Sequence, residues 1–301
     1  MNGRGDAAHA RLSYLRACTL DVAVRKPGNV SRASPGHGMS AALFEASARA
    51  SVLPLLARGA RVGERIERAI EATWAVAGCN TNLGIVLLCA PIAKALDALS
   101  PSPTRAALQV SIGAVLADLD LDDTRAAYRA IARARPAGLG RVDAQDVHDA
   151  PGIDLRAAMA LAAERDRIAR QYRDGYADLF EMSAQAPHLP GLLARFDPGA
   201  EAPPPPALAA AVQRVYLGFA ATAPDSHIVR KHGPAVAQTV MRAAQGWRER
   251  SAQGADLDAD PAFAAWDEAL KADGLNPGTS ADLTVAALWI AGLWDAAESR
   301  R

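Results

Sequence analysis

At positions 83–93 the chain reads Leu-Gly-Ile-Val-Leu-Leu-Cys-Ala-Pro-Ile-Ala, an apolar run without a charged residue. A second apolar run, Leu283–Trp294, lies near the other end of the sequence. Both runs are shorter than the roughly 18 residues that a membrane span requires. A helix that is hydrophobic on every side belongs in the interior of a protein. We therefore predict that both runs form buried core helices.

The composition favours helices packed around such a core. Half of the 301 residues are hydrophobic, only 5% are aromatic, and alanine dominates. Alanine has the highest helix propensity, and no alternation of apolar and polar residues is long enough to indicate a strand. The sequence predicts an all-α protein, with roughly ten or more helices in a single large domain over residues 1–301 and long polar active-site loops.

The middle of the chain contains a predicted long helix and, before it, a predicted long loop. Apolar residues at helical spacing predict one long helix over Leu155–Ser183. Within it, the charged run Glu164–Arg167 is typical of a solvated face on which Asp166 pairs with Arg170, and the alternative is an Asp166 that turns inward. Arg135–Gly152 lacks periodicity; a loop of this length is often a lid or a binding loop, and otherwise simply mobile.

The charge balance and the cysteines limit the classes of partner and location. Lys plus Arg and Asp plus Glu each number 33, so the net charge is zero. This balance indicates neither nucleic acid nor an acidic membrane surface as a partner. Three cysteines are too few and too odd in number for a disulfide framework, which fits a reducing, cytoplasmic location. The polar segment Met1–Arg11 lacks the apolar core of a secretory signal.

Three short segments share one pattern, in which glycine and asparagine stand beside an apolar or alanine-rich stretch. They are Lys26–Asn29, Gly78–Asn82 and Asn276–Asp282. Glycine lets the backbone approach a ligand closely, and asparagine offers a donor and an acceptor without charge. Because the second and third segments lead into helices, their amides can point at an anion. Their convergence would form a polar, phosphate-binding pocket.

A fourth segment, Asp225–Gly233, carries one acid, two histidines and two adjacent cations. Arg230 and Lys231 are candidates for phosphate binding, and Asp225 is a candidate Mg²⁺ ligand. The alternative is a short solvated helix that Asp225 or Ser226 caps.

Two further side chains are candidates for chemistry. Asp282 stands beside a glycine turn at the start of an apolar helix, where a carboxylate can ligate a metal or act in catalysis, and otherwise stabilises the helix N-terminus. His37 is a candidate general acid or phosphate contact, or else an exposed loop histidine.

Taken in order, these four segments resemble the triphosphoribosyl-dephospho-CoA synthase family, and the resemblance covers nearly the whole chain. It implies an all-α transferase that takes ATP and 3′-dephospho-CoA, releases adenine and works in the cytoplasm with Mg²⁺. The partners it implies are small phosphorylated molecules, without nucleic acid or membrane, and a homodimer is compatible with it.

The resemblance also implies roles for individual residues. Asp225, Asp282 and His37 would be catalytic, and Asp225 and Asp282 would be the Mg²⁺ ligands. Substrate and phosphate binding would fall to Lys26, Asn29, Ser31, Asn80, Asn82, Arg230, Lys231, His232, Asn276 and Ser280.

The chain departs from the classical family pattern at two places. No acid stands between His37 and Met39, where classical members have Gly-Ser-His-Lys-Asp-Met, and Asn82-Leu83 replaces a His-Lys pair. These departures resemble a divergent branch found near genes for one-carbon cofactors such as tetrahydromethanopterin and methanofuran. One alternative function is therefore the same fold acting on a phosphorylated precursor of such a cofactor. Another is a non-catalytic, nucleotide-binding helical protein.

Overall fold

The computed structural model describes residues 3–100, 102–136, 138, 140, 145–186 and 188–294. Within these residues the chain forms fifteen α-helices and no strand, which confirms the all-α prediction. The first eight helices are α1 (Gly3–Ala23), α2 (Ala41–Leu55), α3 (Val62–Ala77), α4 (Leu83–Ala95), α5 (Arg105–Ala117), α6 (Leu121–Ala134), α7 (Leu155–Ala162) and α8 (Arg167–Arg173). The remaining seven are α9 (Ala177–Ala184), α10 (Leu189–Arg195), α11 (Pro206–Thr222), α12 (Ser226–His232), α13 (Pro234–Ala252), α14 (Pro261–Ala272) and α15 (Gly278–Leu293).

The two apolar runs form the centre of the molecule, as predicted. Helix α4 buries every residue except Lys94. Helix α15 packs against α1, α4, α9 and α11, and its Trp289 is fully buried. The indole Nε1 of Trp289 donates to the Ala10 carbonyl at 3.1 Å, which ties α15 to α1. None of the helices described here is both long and apolar enough to span a membrane.

A proline inside the buried helix α4 determines how α8 attaches to it. Pro91 has no backbone N–H, so the Leu87 carbonyl loses its partner four residues further along the helix. The hydroxyl of Tyr172, on α8, donates to that carbonyl at 2.6 Å. The hydroxyl of Tyr176 likewise donates to the next carbonyl, that of Leu88, at 2.9 Å. These bonds fix α8 beside the N-terminal half of α4.

The prediction of one helix over Leu155–Ser183 is wrong, because the segment forms α7, α8 and α9. Asp166 caps the N-terminus of α8, since its Oδ1 accepts from the backbone N of Ile168 at 2.8 Å and of Ala169 at 3.2 Å. Between α8 and α9, Gly175 and Tyr176 adopt left-handed conformations with φ of 66° and 65°. The predicted pairing of Asp166 with Arg170 is therefore also wrong, and Asp166 turns toward α12.

Candidate active site

A cavity of about 460 Å³ opens where α4 and α15 begin. Its volume lies within the range of roughly 300–1,000 Å³ that is typical of small-molecule sites. Helices α6, α7 and α8 supply an apolar wall that includes Ile131, Leu155 and Met159. Part of the predicted loop Arg135–Gly152, including Pro136 and Gln145, lines the same cavity, and the Tyr128 hydroxyl donates to the Gln145 backbone carbonyl at 2.7 Å.

The three Gly/Asn loops meet at the polar end of this cavity. Asn29, Asn80, Asn82 and Asn276 all line it. The first and third loops are joined directly, because Asn29 Nδ2 donates to Asn276 Oδ1 at 3.0 Å. Gly28, with φ of 80°, permits this approach: a Cβ on it would lie 2.7 Å from the backbone oxygen of Leu275. Gly28 is therefore required for the close packing of the first loop against the third.

The second loop is anchored on α2 and caps α4. Asn80 Oδ1 accepts from the backbone N of Leu83 at 3.1 Å, which satisfies one of the free amides at the start of α4. Asn82 Nδ2 donates to Ser51 Oγ at 3.3 Å. The Oδ1 of Asn82 is buried and has no hydrogen-bond partner among the described residues. An unpaired buried oxygen on a cavity wall is suited to a ligand donor.

Asp282 is the fifth residue of α15, at the start of its second turn, on the wall of the cavity. Its carboxylate packs against Gly84 of α4, at a place that a side chain on Gly84 would occupy. Burial raises the pKa of Asp282 well above its usual range, and the nearby charges of Asp21 and Asp225 raise it further. Among the described residues, the Asp282 carboxylate has no hydrogen-bond or ion-pair partner.

His227 and Arg230 reach the same cavity from α12. Burial lowers the pKa of His227; the negative charge of Asp225 opposes this shift, while the positive charges of Arg230 and Lys231 add to it. Arg230 Nη1 pairs with Asp166 Oδ2 at 2.5 Å, while its buried Nε has no hydrogen-bond partner within the described part of the chain. Arg230 is thus held in place with a donor to spare.

Comparison with known proteins places this arrangement in a family. A family model for ATP:dephospho-CoA triphosphoribosyl transferase matches residues 7–301. The chain belongs to the ATP:dephospho-CoA triphosphoribosyl transferase family. It is therefore a transferase enzyme, and the alternative of a non-catalytic binding protein loses its support.

A solved structure has a similar fold. It is a crystal structure of a protein from Archaeoglobus fulgidus, assigned provisionally as a triphosphoribosyl-dephospho-CoA synthase, with 22% sequence identity and a TM-score of 0.57. The match covers 84% of this chain and 99% of that one. A search of curated protein sequences found no significant match.

The structure corrects the predicted role of Asp225 in this member of the transferase family. Asp225 Oδ1 accepts from the backbone N of His227 at 2.9 Å and of Ile228 at 3.3 Å, which makes it the N-cap of α12. Its Oδ2 accepts from both the backbone N and the Oγ of Ser280, at 2.7 and 2.8 Å. With both oxygens occupied, Asp225 and Ser280 link α12 to α15 and do not line the cavity. The capping part of the alternative is confirmed, but the helix is not a solvated one, because Ile228 is buried and Arg230 lines the cavity.

Other predicted contacts also lie off the cavity wall. The Lys26 ammonium is fully buried and pairs with Asp21. His37 Nε2 bonds the Gly28 carbonyl at 2.8 Å, and His232 Nε2 bonds the Gly274 carbonyl at 3.2 Å. The Ser31 hydroxyl also bonds the backbone, since Ser31 Oγ accepts from the backbone N of Ser34 at 3.2 Å.

Lys231 is exposed and likewise lies outside the cavity. Lys26, Ser31, His37 and His232 thus bond other parts of the protein, whereas Lys231 faces solvent. None of these side chains lines the cavity.

Several charged or titratable residues on the cavity wall escaped the sequence-based choice of site residues, Asp21, Asp166 and His227 among them. Asp21 precedes the first loop on α1, Asp166 belongs to a run of charges, and His227 sits beside Asp225 in the fourth segment. The inward-turning alternative for Asp166 pointed to one of them. No signal in the sequence separated His227 from His232.

Proposed function

We propose that this protein transfers the triphosphoribosyl group of ATP to the 2′-hydroxyl of 3′-dephospho-CoA and releases adenine. The family supports this class of reaction. The observation that carries the proposal is a pair of titratable groups in one cavity, Asp282 and His227, whose pKa values shift in opposite directions. Groups with separated pKa values are suited to act as acid and base in the same reaction.

The side chains of His227 and Asp282 lie beside the same turn of α15. Gly278 and Asp282 lie four residues apart on α15 and therefore share a face. A side chain added at Gly278 would lie 3.4 Å from His227 Nδ1, so the imidazole lies against that face. Both side chains line the cavity.

The proposed step forms one bond and breaks another at C1′ of the ATP ribose. The acceptor hydroxyl oxygen attacks C1′ and gives its proton to His227, which is neutral because its pKa is lowered. The bond from C1′ to adenine breaks, its electron pair goes to adenine, and Asp282 supplies the proton that adenine takes up. The sugar is cation-like in this transition state, and the Asp282 carboxylate left behind lies next to it.

The triphosphate stays attached to the sugar and needs positive partners. Arg230 offers its unpaired Nε, and Asn80 precedes the free amides of α4. Asp21, Asp146 and Asp166 also line the cavity; Lys26 and Arg230 already pair with Asp21 and Asp166, so further cations are needed to bind a triphosphate beside these carboxylates.

Mg²⁺ does not fit as a protein-held ion at the two predicted ligands. Both oxygens of Asp225 already accept hydrogen bonds, and the raised pKa of Asp282 disfavours the ionised form that a metal ion would need. No group of three His, Cys, Asp or Glu side chains in the described ranges is arranged to hold a metal ion. We infer that magnesium enters as Mg-ATP, with the phosphates as its ligands.

The alternative substrate is a phosphorylated precursor of a one-carbon cofactor, with the same fold and the same cavity. One observation favours it: Leu83, which stands where classical members carry lysine, is buried and lines the cavity. The apolar wall of α6 and α7 continues from there. An acceptor with an apolar ring system would therefore suit this wall.

The test is to incubate the protein with Mg-ATP and 3′-dephospho-CoA and to measure free adenine and the mass of the CoA product. We expect one adenine per acceptor that gains a triphosphoribosyl group. Adenine release only with a one-carbon cofactor precursor would favour the alternative. No release with either acceptor at high enzyme concentration would rule out both.

A further inference from the structure

Lys26 is a fully buried lysine immediately behind the cavity wall. Its Nζ lies 2.9 Å from Asp21 Oδ1 and 2.9 Å from Asn29 Oδ1, and it also donates to the Asp21 carbonyl. A buried ammonium requires partners of this kind, because an isolated charge is very costly away from water. All the contacts of Lys26 Nζ are thus inside the protein.

The two side chains that Lys26 holds do reach the cavity. Asp21 and Asn29 both line it, whereas Lys26 does not. Asn29 is in turn bonded to the third loop, since its Nδ2 donates to Asn276 Oδ1 at 3.0 Å. One ammonium therefore connects the end of α1 with the first and third Gly/Asn loops.

The backbone around Lys26 is fixed from several sides. The Tyr216 hydroxyl donates to the Pro27 carbonyl at 2.7 Å, and the backbone N of Gly28 donates to Asp267 Oδ1 at 2.8 Å. His37 Nε2 bonds the Gly28 carbonyl at 2.8 Å. A side chain that emerges from so rigid a segment has little freedom, which makes it an effective support for its neighbours.

We propose that Lys26 is a positioning residue for the transfer reaction: its ammonium orients the Asp21 carboxylate and the Asn29 carboxamide on the cavity wall and does not contact the triphosphate. Asp21 thereby becomes a carboxylate held in a fixed position on the cavity wall. The kinetic effects expected of Lys26 variants rest on the proposed function. The structural effects rest only on the contacts of Lys26.

A double-mutant cycle with Lys26→Met and Asp21→Asn tests the proposal. Displacing a catalytic geometry by about 1 Å can cost about 100-fold in rate, so we expect Lys26→Met to lower kcat by about 100-fold. The KM for Mg-ATP should stay within about threefold, because no phosphate contact is lost. In the Asp21→Asn background, Lys26→Met should lower kcat by less than about threefold further, because both changes act through one carboxylate.

Three results would overturn the proposal. One is a KM for Mg-ATP that rises at least about tenfold in Lys26→Met with kcat unchanged, which indicates a direct phosphate contact. Another is a double variant whose fold-loss of kcat equals the product of the losses in the two single variants. The third is a change in thermal stability alone. If Lys26→Met does not fold, the charge-balanced double variant is compared with Asp21→Asn.

Arg65→Met is the matched control. Arg65 is also fully buried, and its Nη2 pairs with Asp97 Oδ2 at 2.5 Å, but neither residue lines the cavity. This variant should lose thermal stability and keep its kcat. A variant at Lys26 that behaves in the same way would show a purely structural role.

A crystal structure of Lys26→Met gives a readout that does not depend on the identity of the substrates. We expect Asp21 to rotate and the bond between Asn29 and Asn276 to break. Unchanged positions of Asp21 and Asn29 would overturn the inference. Absence of adenine release by the wild type would contradict the proposed function and leave this structural test in force.

Discussion

The carboxylate of Asp282 occupies the space that a side chain on Gly84 would fill. A methyl group on Gly84 would overlap Asp282 Oδ2 and lie 2.7 Å from Ile168 Cδ1. The starts of the two core helices, α4 and α15, are therefore matched to each other at the cavity. This contact places an acid at a fixed point between them.

Gly84→Ala should move the Asp282 carboxylate and lower the rate of transfer by about 100-fold, the cost expected of a displacement of about 1 Å. Stability should also fall, by about 1–3 kcal/mol, because the added methyl group must displace Ile168 Cδ1 as well as the carboxylate. Steady-state kinetics with a thermal melt would check this. Gly113→Ala, at an exposed helix position with open space around it, is the control and should leave the rate unchanged. An active Gly84→Ala variant would show that the position of Asp282 is not critical.

Asp282→Asn should stabilise the empty protein at neutral pH. The pKa of Asp282 is raised in the folded state, so folding holds a proton that the unfolded chain releases above about pH 4. Stability is therefore lost as pH rises from about 4 through the folded pKa, and the asparagine variant avoids this loss. Each kcal/mol gained should appear as a rise of about 2 °C in Tm. Thermal melts from pH 4 to pH 8 should show the gain growing with pH; a gain that does not change with pH would contradict the assignment.

Asp225→Asn should have the opposite effect on stability. An amide nitrogen in place of one carboxylate oxygen cannot accept from Ser280 or from the amides of α12, which leaves buried donors unpaired. The expected cost is about 1–3 kcal/mol. Chemical denaturation measures it directly. If the variant were as stable as wild type but lost its response to magnesium, Asp225 would be a metal ligand after all.

His227 should set the acid limb of the pH–rate profile. Its pKa is lowered by burial, so it stays neutral below its ordinary value of 6.5. A neutral imidazole is the form that accepts a proton, and kcat/KM should therefore hold down to a pH below 6.5 and then fall. His227→Gln should remove that limb and reduce kcat by about 10²–10⁴-fold. A wild-type limb at or above pH 6.5 would contradict this role.

The pattern of apolar residues was sufficient to predict the fold class and the two core helices. Runs such as Leu83–Ala93 have no polar face, so burial is the only place for them. The break of Leu155–Ser183 into three helices could not be read from periodicity, because apolar spacing continues across it. Asp166 and Gly175 interrupt the helix through capping and a left-handed turn, and both residue types also occur inside helices.

The sequence also predicted that the Gly/Asn loops meet, and it could not predict which side chains face the cavity. Lys26, His37 and Asp225 carry groups suited to catalysis, yet each is occupied by partners within the protein: Lys26 and His37 by residues nearby in the sequence, and Asp225 in part by Ser280 of α15. Asp21 and His227 look ordinary in the sequence and reach the cavity because the packing of α1 and α12 turns them toward it. The type of a side chain limits its chemistry, while its partners decide whether that chemistry is available.

Adenine release by wild type and by Asp282→Asn, with Mg-ATP and 3′-dephospho-CoA, tests the central claim most directly. We expect the wild type to release adenine only when the acceptor is present, and Asp282→Asn to be slower by at least about 100-fold. Lys231→Met, which removes an exposed cation outside the cavity, should keep the wild-type rate. No adenine from the wild type, or a wild-type rate from Asp282→Asn, would contradict the account.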